Sequence, residues 1–265
     1  MKNMLKTGIT ALLFALLFTA LSGIGTVKAS ADTLEADLDG DGKKEAIEWS
    51  VSENEDGTQT IDNFTIGGKD VFAATKESEP LEGCYSVDIY TLDTSTKDKY
   101  TEVVVYRFIY DWTEITVYRY NKGKITRYAF FSDIDGLVSQ KTKSRIKAQT
   151  YIFVNGIGNI RVDEEYKIKS GKATLVTKTF KPNKLNETVS FKSTVKMTIY
   201  KDTDWKTEAG TLKSGEKFKL VKFQKGGSDD FTQIYIKTKS GVTGWINTAD
   251  MEPGTFFIKN PPLWD

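Results

Sequence analysis

Residues 37–51 read Asp37-Leu38-Asp39-Gly40-Asp41-Gly42-Lys43-Lys44-Glu45-Ala46-Ile47-Glu48-Trp49-Ser50-Val51, an acidic coil running without a break into an alternating apolar segment. Three carboxylates held in one short loop repel each other, and a bound dication removes that cost. Ca²⁺ takes about six to eight oxygens at roughly 2.3–2.6 Å in a flexible cage, which alternating Asp side chains can supply. Gly42 lets the chain turn back so that the Lys43 carbonyl also faces the ion. The residues that follow put Ile47, Trp49 and Val51 on one face, a period of two built from β-formers. The coil therefore leads into a strand, and the fold it opens is β.

Two known loops share this acidic spacing. In an EF-hand, loop position eight is apolar, position twelve is a bidentate Glu and a helix follows. Here Lys44 holds position eight, and Glu48, at position twelve, lies within the strand pattern. The run Asp-x-Asp-Gly-Asp-Gly-x-x-acid before a strand resembles the calcium loops of FG-GAP and VCBS propeller-type repeats. That resemblance implies a Ca²⁺ site with ligands from Asp37, Asp39, Asp41, the Lys43 carbonyl and Glu45. It leaves Glu48 as a solvent-facing strand residue.

Downstream, Asp93-Thr94-Ser95-Thr96-Lys97-Asp98-Lys99-Tyr100-Thr101-Glu102 stands before Val103-Val104-Val105 as 37–45 stands before 47–51. This copy is one residue longer and has Lys97 where the third acid would be. It is expected to pack without calcium, its hydroxyls and Asp98 making turn hydrogen bonds. Asp133-Ile134-Asp135-Gly136 is a third, shorter candidate. Asn121-Lys122-Gly123-Lys124 between alternating strings signals a hairpin, and Ser170-Gly171-Lys172 splits a further meander. The abundance of β-formers, including 12 Tyr and 15 Phe, points the same way. The expected fold is all-β, with an antiparallel, propeller-like meander over residues 32–185 carrying the calcium loop. Two or three blades are too few to close a ring, so an open relative of the propeller and a sandwich both fit.

Residues 1–31 read as a secretion signal. Lys2 and Lys6 precede an apolar run from Ala11 to Leu21, and Ala29-Ser30-Ala31 offers small residues for cleavage. No second apolar span of membrane length follows. The mature chain is expected to begin near Asp32 and to act outside the cell, secreted or associated with the wall. Removing Lys2, Lys6 and Lys28 from 37 basic residues leaves 34 against 36 acidic ones, a balance that argues against nucleic acid as partner. Cys84 is the single cysteine, so no internal disulfide forms, and it is expected to be a small residue entering a strand. Histidine is absent altogether. That removes Ser-His and Cys-His nucleophile pairs and His-bearing zinc sites.

The polar, proline-bearing run Lys181-Pro182-Asn183-Lys184-Leu185-Asn186 marks a boundary. Beyond it, Met197-Thr198-Ile199-Tyr200, Leu212-Lys213-Ser214-Gly215-Glu216-Lys217-Phe218, Thr232-Gln233-Ile234-Tyr235-Ile236-Lys237 and Gly244-Trp245-Ile246 follow in the order of a bacterial SH3-like (SH3b) domain. Residues 186–265 are therefore identified as resembling that family, which implies a small SH3-like β-barrel. The resemblance further implies a shallow aromatic groove for peptide or cell-wall stem, with Tyr200, Trp205, Tyr235 and Trp245 as its ligand-binding residues. The terminal Phe256-Phe257-Ile258 and Pro261-Pro262-Leu263-Trp264 are expected to pack back as a clasp or to form a docking tail.

These readings imply a secreted, non-catalytic calcium-binding protein of the cell envelope. Its SH3-like region would bind a cell-wall polymer or a surface ligand. A module for an extracellular protein partner, or an inhibitor, is the alternative. A carboxylate-dependent glycoside hydrolase is a third reading. It would draw on Asp111 with Glu114, Asp133 with Asp135, or Glu164 with Glu165, since paired carboxylates cut glycosidic bonds without histidine.

Overall fold

The computed structural model describes residues 29–76, 81–142, 144–183, 190–226, 230–252 and 254–263. Most of the expected leader, residues 184–186 of the boundary, and Trp264 lie outside them. The described chain is nearly all β, in four antiparallel sheets. The first holds β1 (Ala29–Ala36), β2 (Glu45–Glu53), β3 (Gln59–Ile66), β4 (Lys69–Asp70) and, after the short helix α1 (Val71–Thr75), β5 (Leu81–Cys84), with both β4 and β5 bonded to β3. Ala29, Ser30 and Ala31, at the expected cleavage point, pair with Ser52, Val51 and Ser50, whereas Asp32 to Ala36 pair with Trp49 to Glu45.

The second sheet is the meander β6 (Ser86–Leu92), β7 (Glu102–Ile109), β8 (Trp112–Asn121) and β9 (Lys124–Ser132). The third repeats it with β10 (Gly136–Val138), β11 (Arg145–Val154), β12 (Gly158–Lys169) and β13 (Lys172–Leu175). The fourth contains β14 (Ser190–Lys192), β15 (Met197–Tyr200), β16 (Glu208–Leu212), β17 (Lys217–Gln224), β18 (Gln233–Thr238) and β19 (Thr243–Asn247). Its strands bond in the order β14-β17-β18-β19-β15-β16, an open path with no closed barrel among the described residues. A single residue pair, Tyr200 with Trp245, joins β15 to β19.

Core placement explains the sequence patterns. Val103, Val104 and Val105 are all buried. Val103 and Val105 face the first sheet, beside Ile47, Phe64 and Ile66. Val104 faces the third, beside Ile146 and Ala148. A strand covered on both faces reads as a continuous apolar run rather than an alternating one. On β11, Ile146 and Ala148 meet the second sheet, while Ile152 and Val154 at the other end share a core with Phe218, Phe223, Ile234 and Ile246 of the fourth.

Phe180 and the described residues 181–183 of the run expected to mark a boundary join this packing. Phe180 is buried, bridges to Phe223 and stacks on it at 5.7 Å, while Pro182 bridges to Val162. From the far end, Phe257 stacks on Phe218 at 5.7 Å and donates its N–H to the Gly156 carbonyl at 3.0 Å. A Cβ on Gly156 would lie 2.7 Å from the Phe257 ring, so this contact requires glycine.

Candidate metal centre

The β1–β2 connection brings three carboxylates together: one oxygen each from Asp37, Asp39 and Asp41 lies within 4.8 Å of the others. Asp37 organises the loop, its Oδ1 accepting the N–H of Gly40 at 2.8 Å and of Asp41 at 3.2 Å, its Oδ2 that of Gly42 at 3.0 Å. Asp41 Oδ1 accepts the Lys43 N–H at 2.8 Å. Glu45 closes the turn from β2, its Oε2 taking the Leu38 N–H at 2.9 Å. Glu48 lies exposed on β2, where the strand reading placed it, and accepts the Thr65 hydroxyl at 3.2 Å.

Asp39 differs from its neighbours in being buried, at 1 % exposure. Its Oδ2 accepts the backbone N–H of Lys122 at 2.7 Å, from the β8–β9 hairpin of the next sheet. Its Oδ1 is also buried and has no partner. A buried carboxylate oxygen without a donor is expensive, and a hard cation is the partner that suits an oxygen-only cluster. Among the described residues no basic side chain forms an ion pair with Asp37, Asp39 or Asp41. The residues thus fit a Ca²⁺ ion held by Asp37, Asp39 and Asp41, with Glu45 and the Lys43 carbonyl next to them in the loop.

The corresponding β6–β7 loop, residues 93–101, keeps the frame and changes the charge. Glu102 takes Glu45's part: its Oε2 accepts the Thr94 N–H at 3.1 Å and the Thr94 hydroxyl at 2.8 Å. Its Oε1 accepts Arg119 Nε at 2.8 Å and also pairs with Nη2, which reaches Asp98 Oδ2 at 3.3 Å. The guanidinium lies over the rings of Tyr128, at 3.8 Å, and Tyr100, at 4.5 Å. Burial pushes the Glu102 carboxyl above its ordinary range, with the Arg119 charge opposing the shift. Asp98 makes the turn bond expected of it, its Oδ1 accepting the Tyr100 N–H at 3.1 Å, whereas of the loop hydroxyls Thr94 bonds to Glu102, Thr96 reaches the Gln140 carbonyl at 3.4 Å and Ser95 Oγ is buried without a partner.

The third candidate, Asp133 and Asp135, stands on the β9–β10 connection rather than between the first two strands of its meander. There the Asp133 and Asp135 N–H groups bond to Thr113 and Gln149 carbonyls, both at 2.8 Å. The true equivalent, residues 139–144, carries no acid. The three loops dock in a row, the Thr101 N–H bonding to the Leu38 carbonyl at 3.1 Å and Thr96 N–H to that of Gln140 at 2.9 Å. Arg119 carries no local motif, and the hairpin signal at Asn121–Lys124 gives the turn that holds Lys122 but not its bond to Asp39. What could have found Arg119 is the two-residue turn Tyr110-Asp111, which folds β8 back so that Glu102 meets Arg119.

The aromatic residues expected to bind a ligand are brought together. Tyr235 pairs with Trp245 across β18 and β19, and Trp245 with Tyr200 across β19 and β15. Tyr235 and Trp245 meet edge to face at 5.1 Å, and Trp205 stands edge-on to Tyr200 at 5.6 Å. Lys222 Nζ lies 4.9 Å from both the Tyr235 and Trp245 rings. Trp245 is buried within this row, while the other three are half-buried.

Three of the six carboxylates named for a hydrolase have close side-chain partners. Glu114 pairs with Arg107. Glu164 is buried and accepts the Tyr166 hydroxyl at 2.5 Å, whereas Glu165, on the other face of the same strand, pairs with Arg145 at 2.6 Å. Cys84 is buried at the end of β5, its thiol donating to the Gln59 carbonyl at 3.3 Å, and burial raises its pKa. Compared with protein-family models, curated proteins and solved structures, the chain finds no match.

Proposed function

We propose that this chain is a secreted, non-catalytic calcium-binding protein of the cell envelope. Calcium holds the first loop, and the aromatic row of the fourth sheet contacts a wall polymer or surface ligand. The observation that carries the reading is the buried, unpartnered Asp39 Oδ1 beside Asp37 and Asp41. The ion's role is structural: one oxygen of Asp39 would bind it while the other holds the Lys122 N–H, so the same side chain ties the first sheet to the second. Calorimetric titration of the mature protein with Ca²⁺ tests the metal. Binding is expected in the native chain and its loss in Asp39→Asn, which keeps an oxygen for Lys122 but removes the charge. Co-sedimentation with purified cell walls, with calcium and with chelator, tests the placement. Absence from the pellet in both conditions would discard wall binding.

A second reading rests on a different surface. Tyr85, Phe108, Tyr110 and Trp112 are exposed together at one end of the second sheet, with Tyr110 55 % exposed and 5.4 Å from the Tyr85 ring. Contiguous exposed rings of this kind favour a protein partner. Retention of one extracellular protein by the native chain, abolished in Tyr110→Ser, would support it.

A further inference from the structure

Phe218, Leu220, Ile234, Ile236 and Ile246 of the fourth sheet lie in the core it shares with β11. Strand alternation therefore gives Lys217, Lys219, Tyr235, Lys237 and Trp245 the opposite, outer face. On that face Lys219 stands directly across from Lys237, and Lys217 across from Lys192. All four lysines are exposed, and among the described residues none of them forms an ion pair. Lys217, Lys219 and Lys237 line one groove of about 260 Å³ together with Lys239. Glu216, next to Lys217 in sequence, accepts the Ser240 hydroxyl at 2.7 Å and the Lys213 N–H at 3.1 Å. Like charges set opposite each other cost a sheet stability. A bound anion would remove that cost here, as a cation would in the 37–45 loop.

The lysines run into the aromatic row. Tyr235 and Lys237 are two residues apart on one strand face, about 7 Å. Lys222 Nζ stands at the join, 4.9 Å from both the Tyr235 and Trp245 rings. Beyond the rings come carboxylates: Glu208 pairs across the strands with Tyr200, and Asp202 and Asp204 precede Trp205. One sheet face thus passes from ammonium groups through aromatic rings to acids.

We infer that this face binds an anionic polysaccharide, an assignment that rests on reading the aromatic row as a ligand surface and names the class of its ligand. Sugar rings present C–H bonds that pack on the electron-rich faces of aromatic side chains. The acid groups of the same chain would meet the lysines, which are spaced about 5–7 Å apart along and across the strands. A small anion would engage one pair of them, whereas a polymer can span the ladder and the rings together. Lysine ammonium groups are compact point charges, so they accept carboxylate or phosphate alike. A surface of one sign also concentrates such a chain from solution.

Calorimetric titration of the native mature chain at about 0.15 M salt, where weak surface attraction is screened, uses hyaluronate, phosphomannan and unphosphorylated mannan as probes. Binding of an anionic polymer is expected to exceed that of mannan at least about tenfold, the tighter of the two naming the acid group. Lys219→Gln/Lys237→Gln is expected to weaken it at least about tenfold. Lys167→Gln/Lys169→Gln makes an equal change of charge at exposed positions of β12 and is expected to alter affinity by less than about twofold. Melting temperatures matching the native chain guard against unfolding in both pairs. No binding of either anionic polymer, equal affinity for mannan, or equal loss in the two double variants would each overturn the assignment. Trp205→Ala separates it from the reading beneath it. Loss there, with none in Lys219→Gln/Lys237→Gln, would keep the row as a binding surface and overturn the anionic ligand. The reverse would support the anionic ligand and remove the row from its site.

Discussion

The 37–45 loop and the 93–102 loop are the same turn with opposite solutions to one electrostatic problem. Each is closed by a Glu from the following strand that accepts an N–H of the second loop residue, Leu38 in one and Thr94 in the other. In the second loop the counter-charge belongs to the chain: Arg119 bonds to Glu102 and Asp98 between two tyrosine rings. In the first, β3 ends at Ile66 opposite Ile47 and turns through Gly67 and Gly68 into β4, so no β3 side chain stands across from Glu45 in Arg119's place. Asp39 Oδ1 is correspondingly buried without a partner. A guanidinium makes the loop's stability permanent, whereas an exchangeable ion makes it depend on the medium.

The largest effect is expected from Arg119→Met. Glu102 has a side chain with no exposure, so losing Arg119 leaves a buried carboxylate with only the Thr94 donors. Breaking one side of a buried pair costs about 3–5 kcal/mol, measurable by urea denaturation. Adding Glu102→Gln should recover much of it, the two residues being directly coupled. The pH dependence has a definite sign. Burial raises the Glu102 pKa in the folded state, and without Arg119 nothing comparable opposes it. The folded state then takes up the proton more readily than the unfolded one, so the deficit against wild type shrinks as pH falls into the carboxylate range. A near-neutral variant would mean that Arg119 does not stand in for a cation.

The next effect separates the loops by metal. With Ca²⁺ at about a hundredfold over its dissociation constant, binding to the folded state alone stabilises by about 2.7 kcal/mol. At about 2–4 °C per kcal/mol for a chain of this size, chelation should lower the melting temperature by roughly 5–10 °C. Asp39→Asn should melt at one temperature with or without calcium, and Arg119→Met should keep the full calcium shift. A native protein indifferent to chelator would leave the 37–45 loop an acidic turn and break the contrast.

Legibility in the sequence followed the range of the interaction. The 37–45 spacing and the alternation of Ile47, Trp49 and Val51 are local, and they announced both the acidic cluster and the strand after it. The likeness of 93–102 to that stretch was visible too, because the frame residues Asp93 and Glu102 survive. Arg119 and the Lys122 N–H were not, since both arrive through hairpin register, which no short window encodes. Asp133 and Asp135 drew attention by charge alone, although their strand position differs. For the fourth sheet, order and aromatics were readable, but barrel closure is a global property. Nor did the polar run at 181–186 disclose that Phe180, just before it, is buried against Phe223.

The smallest effect tests whether the two loops support one another. Gly40 has φ +69, and a Cβ there would lie 2.7 Å from the Lys99 carbonyl oxygen and 3.0 Å from Lys99 Cβ, in the second loop. Gly42 has φ +89, with nothing within 4 Å of the same atom. Both substitutions by alanine impose a left-handed angle on a residue with a side chain, at about 1 kcal/mol. Only Gly40→Ala also pushes the loops apart, against a backbone atom that cannot swing away. Gly40→Ala is therefore expected to cost about 1–2 kcal/mol, and more than Gly42→Ala, in calcium-free buffer where the ion contributes nothing. Because the Leu38 carbonyl accepts the Thr101 N–H beside this contact, the excess should appear as faster amide exchange at Thr101 in the first variant alone. Equal costs and unchanged exchange would show that the loops resemble each other without leaning on each other.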